Sequence, residues 1–160
     1  MGFNIVLSSP SGAGKTTITK KLSQKYPNIK VSISHTTRKP RSNEIDGVDY
    51  HFVNQEEFKR LIKKDNFYEY AKIFDNYYGT SKDSVIKLHK KDYDVVFDID
   101  WQGTKQLSQF KELNLIKIFI LPPDKQELKK RLINRNQDNN QTIEKRLKQY
   151  EKDIQHWFDY

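Results

Sequence analysis

The chain contains no cysteine, which excludes disulfides and thiolate metal sites and leaves no positive marker of redox compartment. No apolar run is long enough to span a bilayer. The N-terminus lacks a secretory layout, because Ile5-Val6-Leu7 is far too short an apolar core and Lys15 soon follows. Myristoylation asks for Ser or Thr at position 6, where Val6 stands. Internal repeats, low-complexity tracts and a long linker are also missing. These absences lead us to expect a cytoplasmic protein with no membrane attachment.

What is present suits one folded domain. The 160 residues suffice for a sizeable core. Hydrophobic residues at 35% and aromatic residues at 12% argue against disorder. The formal charge of +8 fits either a nucleic-acid or membrane surface, or a pocket for phosphorylated small molecules. The lysines are spread through KKLSQK, IKK, HKK and ELKKRL rather than gathered in one arm, which disfavours a dedicated nucleic-acid groove.

Apolar runs at Asn4–Leu7, Ile29–Ile33, Val95–Ile99 and Leu115–Leu121 are nearly continuous, as in strands buried on both faces of a parallel sheet. Helical patterns alternate with them. Over Thr16–Tyr26, the residues Ile18, Leu22 and Tyr26 form an apolar stripe. After Pro122-Pro123, the pair Asp124 and Glu127 resembles a capping box opening a helix over Lys125–Arg135. NQDNNQ at 136–141 supplies a turn, and a second helix is expected over Thr142–Trp157. The fold class that follows is α/β. Residues 36–93 break the rhythm with short aromatic strands at DYHFV, FYEYAKIF and NYYGTS and a helix around Gln55–Lys64. They read as a small substrate-gripping subdomain inserted into the core. His35, His51, His89 and His156 show no ligand spacing and read as structural or exposed, and Trp101 and Trp157 as packing residues.

SSPSGAGKTT at 8–17 nearly spells the phosphate-binding pattern G-x-x-x-x-G-K-[ST], with Ser9 in the first glycine's place. It lies between a predicted strand and a predicted helix, as the mechanism requires. Gly12 and Gly14 allow backbone N–H groups to close around phosphate oxygens, and the helix N-terminus adds its positive dipole end. Lys15 can reach the β- and γ-phosphates and Thr16 can ligate Mg²⁺. Ser9 concerns the entry turn rather than the cradle. The loop therefore reads as a nucleotide site formed by Ser9, Pro10, Ser11, Gly12, Ala13, Gly14, Lys15, Thr16 and Thr17, which the resemblance below makes the ATP-binding set.

With that loop, SISHTTRKPRSNEIDGVDYHF (32–52), EYAKIFDNYYGTS (69–81), FDIDWQG (97–103) and FILPPDKQELKKRL (119–132) resemble the guanylate kinase family from Ile5 to about Arg146. The resemblance implies a three-layer α/β/α parallel sheet of the P-loop type, an inserted nucleoside-monophosphate-binding subdomain and a helical lid. It implies one domain over 1–160, with core segments 1–35 and 94–123, a GMP-binding segment 36–93 and a lid 124–150. Arg38 and Arg41 resemble the pair that clamps the GMP phosphate, and Tyr50 and Tyr78 the tyrosines that donate to it. Glu69 matches the guanine-reading acid, Ser34 and Thr80 hydroxyls around the base, and Asp98 an acid of the GMP site. Arg131, Arg135 and Arg146 resemble catalytic lid arginines acting with Lys15. The lid departs from the usual R-G-R-G-T, since Ile133-Asn134-Arg135-Asn136-Gln137 keeps only one arginine of it. Family chains continue with a further strand and helix, whereas this sequence stops at HWFDY, with Asp159-Tyr160 reading as the start of that strand.

The implied reaction is ATP + GMP giving ADP + GDP with Mg²⁺, in a monomer or homodimer, with no nucleic-acid or membrane partner. The rival reading is a non-catalytic guanylate-kinase-like module that binds partner proteins. Such modules typically lose the cradle lysine or the lid arginines, and Lys15, Thr16, Arg38, Arg41, Arg131 and Arg146 are all present here.

Overall fold

The structure, a computed structural model, describes residues 2–134 and 139–160. Strand β1 (Asn4–Ser8) leads through the glycine-bearing loop into helix α1 (Lys15–Lys25), followed by β2 (Ile29–Val31). Next come β3 (His35–Thr36), β4 (His51–Phe52), α2 (Gln55–Lys63), the hairpin strands β5 (Phe67–Ile73) and β6 (Asn76–Ser81), and α3 (Lys82–His89). Then follow β7 (Asp94–Asp98), α4 (Trp101–Leu107), β8 (Leu115–Phe119), α5 (Lys125–Asn134) and α6 (Asn140–Asp153).

Four strands form a parallel sheet in the order β2-β7-β1-β8. Val95, Val96 and Phe97 are all fully buried, as a central strand covered on both faces requires. Val95, Phe97 and Ile99 join Val6 of β1, Val85 of α3 and Leu107 of α4 in one cluster. The other pleat of β7 ends in Asp98, which accepts a hydrogen bond from Thr19 of α1, so α1 covers the opposite face. That gives the α/β/α layering. The register Leu7↔Asp98 sets the C-terminal ends of β1 and β7 side by side.

A second sheet has the order β4-β3-β6-β5, with β5, β6 and β3 antiparallel and β3–β4 parallel. Helix α2 is capped by Asn54, whose side chain accepts from the Glu57 N–H. Its Phe58 is fully buried and stacks on Phe67 at 4.8 Å and Tyr77 at 5.4 Å. The helix thereby grips both hairpin strands. Helices α5 and α6 meet through Leu128, Leu132, Ile143 and Leu147.

Some expectations shift. In α1 the buried position is Thr19, while Ile18 and Tyr26 of the expected stripe are exposed. Lys15 and Thr19, four apart and therefore on one face, both contact Asp98, and this polar pairing sets the roll of the helix. Strand β2 stops at Val31, short of the expected Ile33, and Ser32 just beyond it still donates its N–H to the Val96 carbonyl. Helix α6 begins at Asn140 rather than Thr142, since Asn139 caps it by accepting from the Thr142 N–H. Residues 136–138 of the expected turn lie outside the described residues. The helix also ends early, at Asp153, where the chain tightens into a 3₁₀ turn over Ile154–Asp159. There Trp101 donates to Asp153 and stacks on His156 at 3.6 Å. Trp157 is about half exposed, and its ring packs 4.0 Å from that of Phe158. Asp159 closes the 3₁₀ turn rather than opening a strand. Lys117 bonds to its carbonyl and the Tyr160 hydroxyl donates to Thr104, so side chains hold this segment. Among the described residues, no helix is long and apolar enough to cross a membrane.

Truncating Phe58 to Ala should cost about 3–5 kcal/mol, the scale for emptying a fully buried aromatic site. Urea denaturation checks this, and a loss under about 1 kcal/mol would show that α2 does not depend on this ring stack.

Candidate active site

The loop between β1 and α1 turns through Gly12 at φ 93° and Gly14 at φ 106°. Both lie in the left-handed region where a side chain is strained. A Cβ on Gly12 would also approach Leu132 Cδ2 to 2.8 Å, so the loop lies tightly beneath α5. Ser9 is buried just beyond β1, and its hydroxyl bonds to the Pro10 carbonyl. The serine thus ties the entry turn, and the two glycines shape the cradle.

Lys15 is the first residue of α1. Its Nζ lies 2.5 Å from Asp98 Oδ1 and donates to the Ile99 carbonyl at 2.9 Å. The β1–β7 register makes this contact possible, since strand ends in register face each other across the sheet end. Arg131 of α5 donates to the Ala13 carbonyl and to Glu127. Arg146 of α6 bonds to the Ser11 hydroxyl. Arg135 lies outside the described residues.

The loop between β3 and β4 carries Arg38 and Arg41. Both guanidinium groups converge on Glu44, Arg38 at 2.8 Å and Arg41 at 3.5 Å, and the Arg41 N–H also donates to it. Burial would raise the Glu44 pKa, but the bonds from Arg38 and Arg41 outweigh it and hold the carboxyl below its ordinary range. Arg38 also donates to the Lys39 carbonyl and lies 5.4 Å from the Tyr50 ring centre. Burial, with Asp98 nearby, pushes the Tyr50 hydroxyl up to about 12, so it stays a neutral donor at pH 7.

Glu69 inverts the usual arrangement of a strand. Along β5 the buried positions are Phe67, Glu69 and Ala71, while Tyr70 is exposed. A carboxylate inside and an aromatic outside is an arrangement that folding alone would reverse. Burial pushes the Glu69 carboxyl up to about 7, although bonds from the Thr80 side chain and backbone work the other way. Thr80, fully buried, also pairs with Ser34 at 3.3 Å.

One cavity of about 320 Å³ is lined by Lys15, Thr16, Arg38, Arg41, Tyr50, Tyr78, Glu69, Asp98 and Arg146 among others. Loop residues Ser9, Pro10, Ser11, Gly12 and Gly14, together with Ser34, open onto the same space. Thr17, Ala13 and Arg131 lie instead on an adjoining hollow that also touches Gly12 and Gly14, with Ile18 and Asn134 on its wall. The arrangement therefore offers an anion-binding loop and a second, arginine-based anion site, with a buried hydrogen-bonding carboxyl beside it.

Three residues were missed at the sequence level. Glu44 stands three residues after Arg41, and that spacing of opposite charges in one loop was the available signal. Gly103 leaves room for Glu69, because a Cβ there would sit 2.6 Å from Glu69 Oε2. A glycine inside a helix is costly enough to have suggested such a close approach. Gln106 clasps the backbone of Tyr70, accepting from its N–H and donating to its carbonyl. Nothing in the local sequence signalled that. The histidines are structural, as expected for His35, which packs 4.7 Å from His51 and has its pKa lowered to about 4, by burial first.

The Glu69 carboxyl has a definite stability signature. Its folded value of about 7 lies above the ordinary 4.5, so between those values the folded chain holds the proton more tightly. Stability from this group is therefore greatest below pH 4.5 and falls as pH rises towards 7, by about 3 kcal/mol in all. Urea midpoints across pH 4–8 should lose this segment of the pH dependence in Glu69→Gln. An unchanged profile would place the carboxyl in a wetter environment than the structure does.

Comparison with known proteins follows the same lines. The sequence profile described as guanylate kinase matches residues 2–160. A guanylate kinase of Paramagnetospirillum magneticum is 46% identical over 159 residues, covering 99% of this chain and 74% of that protein. One from Rickettsia prowazekii is 48% identical over 159 residues, covering 99% and 80% respectively. The crystal structure of guanylate kinase from Anaplasma phagocytophilum superposes with a TM-score of 0.77 at 34% identity, over 99% of this chain and 73% of that one. With the loop, the paired arginines and the buried acid already in place, these matches show that the chain belongs to the guanylate kinase family.

Proposed function

We propose that this chain is an ATP-dependent guanylate kinase, converting ATP and GMP to ADP and GDP. The observation that carries the reading is the single cavity onto which the phosphate loop, Arg38, Arg41 and the buried Glu69 all open. A phosphate-loop protein that acts on a second nucleotide needs two anion sites facing one space and a group that reads the base.

In this reading the loop from Ser9 to Thr17 holds the ATP phosphates on backbone N–H groups, and Lys15 shifts from Asp98 towards the β- and γ-phosphates. Arg38 and Arg41 grip the GMP phosphate as forks, exchanging Glu44 for the incoming anion. Tyr50 and Tyr78 donate to the same phosphate. Glu69, deprotonated, accepts from guanine N1–H and the 2-amino group, with Thr80 and Ser34 beside the base; adenine offers no such pair of donors. Asp98 lies at the GMP side and Arg131, Arg135 and Arg146 supply positive charge over the transferring group. Phosphoryl transfer needs position and charge more than covalent help. The GMP phosphate oxygen attacks in line, already ionised, so no general base is required.

The residues present fit Mg²⁺. Thr16 lines the cavity at the start of α1 and offers one hard oxygen donor, as this ion takes beside substrate phosphates and water. Among the described residues, no group of three or more His, Cys, Asp or Glu could hold a metal alone. When bound, the ion offsets phosphate charge. The same proposal treats 36–93 as the GMP-binding segment and 124–150 as the lid. It places the protein in the cytoplasm as a monomer or homodimer, with no nucleic-acid or membrane partner.

A coupled ADP-production assay offering GMP, dGMP, AMP, UMP and CMP tests the reading, and GMP should be strongly preferred over AMP. Lys15→Met should keep the fold and lose at least about a hundredfold in kcat, the scale of one electrostatic donor in such a site. No turnover of any guanine nucleotide by a folded parent chain would favour the non-catalytic module instead.

A further inference from the structure

The turn joining β5 to β6 contains only Phe74 and Asp75, since Ile73 pairs with Asn76. Phe74 has φ 54°. A positive φ at the first position of a two-residue hairpin loop is the usual seat of glycine. The other described non-glycine residues with positive φ are Asp65, Asp92 and Asn114, types that tolerate the left-handed region. A bulky aromatic there is a true outlier.

Folding does not explain the choice. Phe74 is 46% exposed, so it recovers little from burial while carrying backbone strain. Its ring does meet a charge, because the Arg146 guanidinium lies 5.9 Å from the ring centre, within cation–π range. Arg146 also bonds to Ser11 of the phosphate loop. One arginine of α6 thus touches both the loop and the hairpin tip, and Phe74 and Arg146 line the same cavity.

We infer that Phe74 is a positioning residue: its ring, held in a glycine's seat, fixes Arg146 across the cavity for phosphoryl transfer. The inference rests on the kinase reading above. A ring on the hairpin and an arginine on α6 meet only when those two elements stand close together. The contact therefore couples closure of the cavity to placement of the cation, and its effect belongs in kcat rather than in either KM.

The test compares the parent chain with Phe74→Gly, Phe74→Asn, Phe74→Leu and Phe74→Tyr by kcat, both KM values and Tm. Gly and Asn relax the turn and remove the ring. Both variants should melt no lower than the parent yet lose about tenfold in kcat, with each KM within twofold. Leu should lose the same turnover and melt lower than Gly or Asn, because it keeps the strain. Tyr, which keeps the ring, should retain at least half of the parent kcat. Parent-like kcat in Gly or Asn overturns the inference while leaving the kinase reading intact. A raised KM at unchanged kcat overturns it too, making Phe74 a nucleotide contact, and a Tm loss that tracks the kcat loss makes it merely structural. A folded parent chain with no turnover refutes the kinase reading and this inference with it.

Discussion

The parallel pairing of β1 with β7 is the constraint on which the rest depends. Because Leu7 stands opposite Asp98, the two strands end level, and everything that leaves them enters one space. From β1 comes the loop with its two left-handed glycines. From β7 come Asp98, which receives Lys15, and Asp100, which caps α4 by accepting from the Gly103 N–H. Slip that register by one residue and Asp98 would point to the other face of the sheet. Lys15 and Thr19 would then lose the partner that sets the roll of α1. Cradle geometry is therefore a consequence of strand pairing.

Charge in the site follows one pattern. Lys15 is held by Asp98, Arg38 and Arg41 by Glu44, and Arg131 by Glu127. The surplus of +8 is thus locally balanced where it matters most. Such pairing keeps long cationic side chains ordered at modest cost and offsets the mutual repulsion of neighbouring cations such as Arg38 and Arg41. Glu69 is the exception, being buried beside Thr80 with no ion-pair partner among the described residues. Burial pushes its carboxyl up to about 7, where added hydrogen-bond donors would favour the charged form.

The loop was readable because its chemistry is local: two glycines, a lysine and a threonine between strand and helix fix their own geometry. The parallel sheet was readable from Val95–Phe97, which are apolar on both pleats. Glu69 was harder, since a sequence with tyrosines on both sides of a glutamate suggests the opposite burial. It was reached through resemblance, and the structure supplies the reason through Gly103 and Thr80. Ile18 misled because the roll of α1 is set by polar contacts to Asp98 rather than by its apolar stripe. Gln106 and the hairpin conformation of Phe74 depend on tertiary placement, which no local pattern encodes.

The central claim is that Glu69 reads the base while Arg38 and Arg41 hold the phosphate of the same nucleotide. The most direct measurement is a crystal structure of the chain with GMP. The account predicts the phosphate between the Arg38 and Arg41 guanidinium groups, the Lys15–Asp98 strand ends beside it, and guanine N1 and N2 within hydrogen-bond distance of the Glu69 carboxylate. A guanine edge that meets other groups, with Glu69 still enclosed against Thr80, would contradict it.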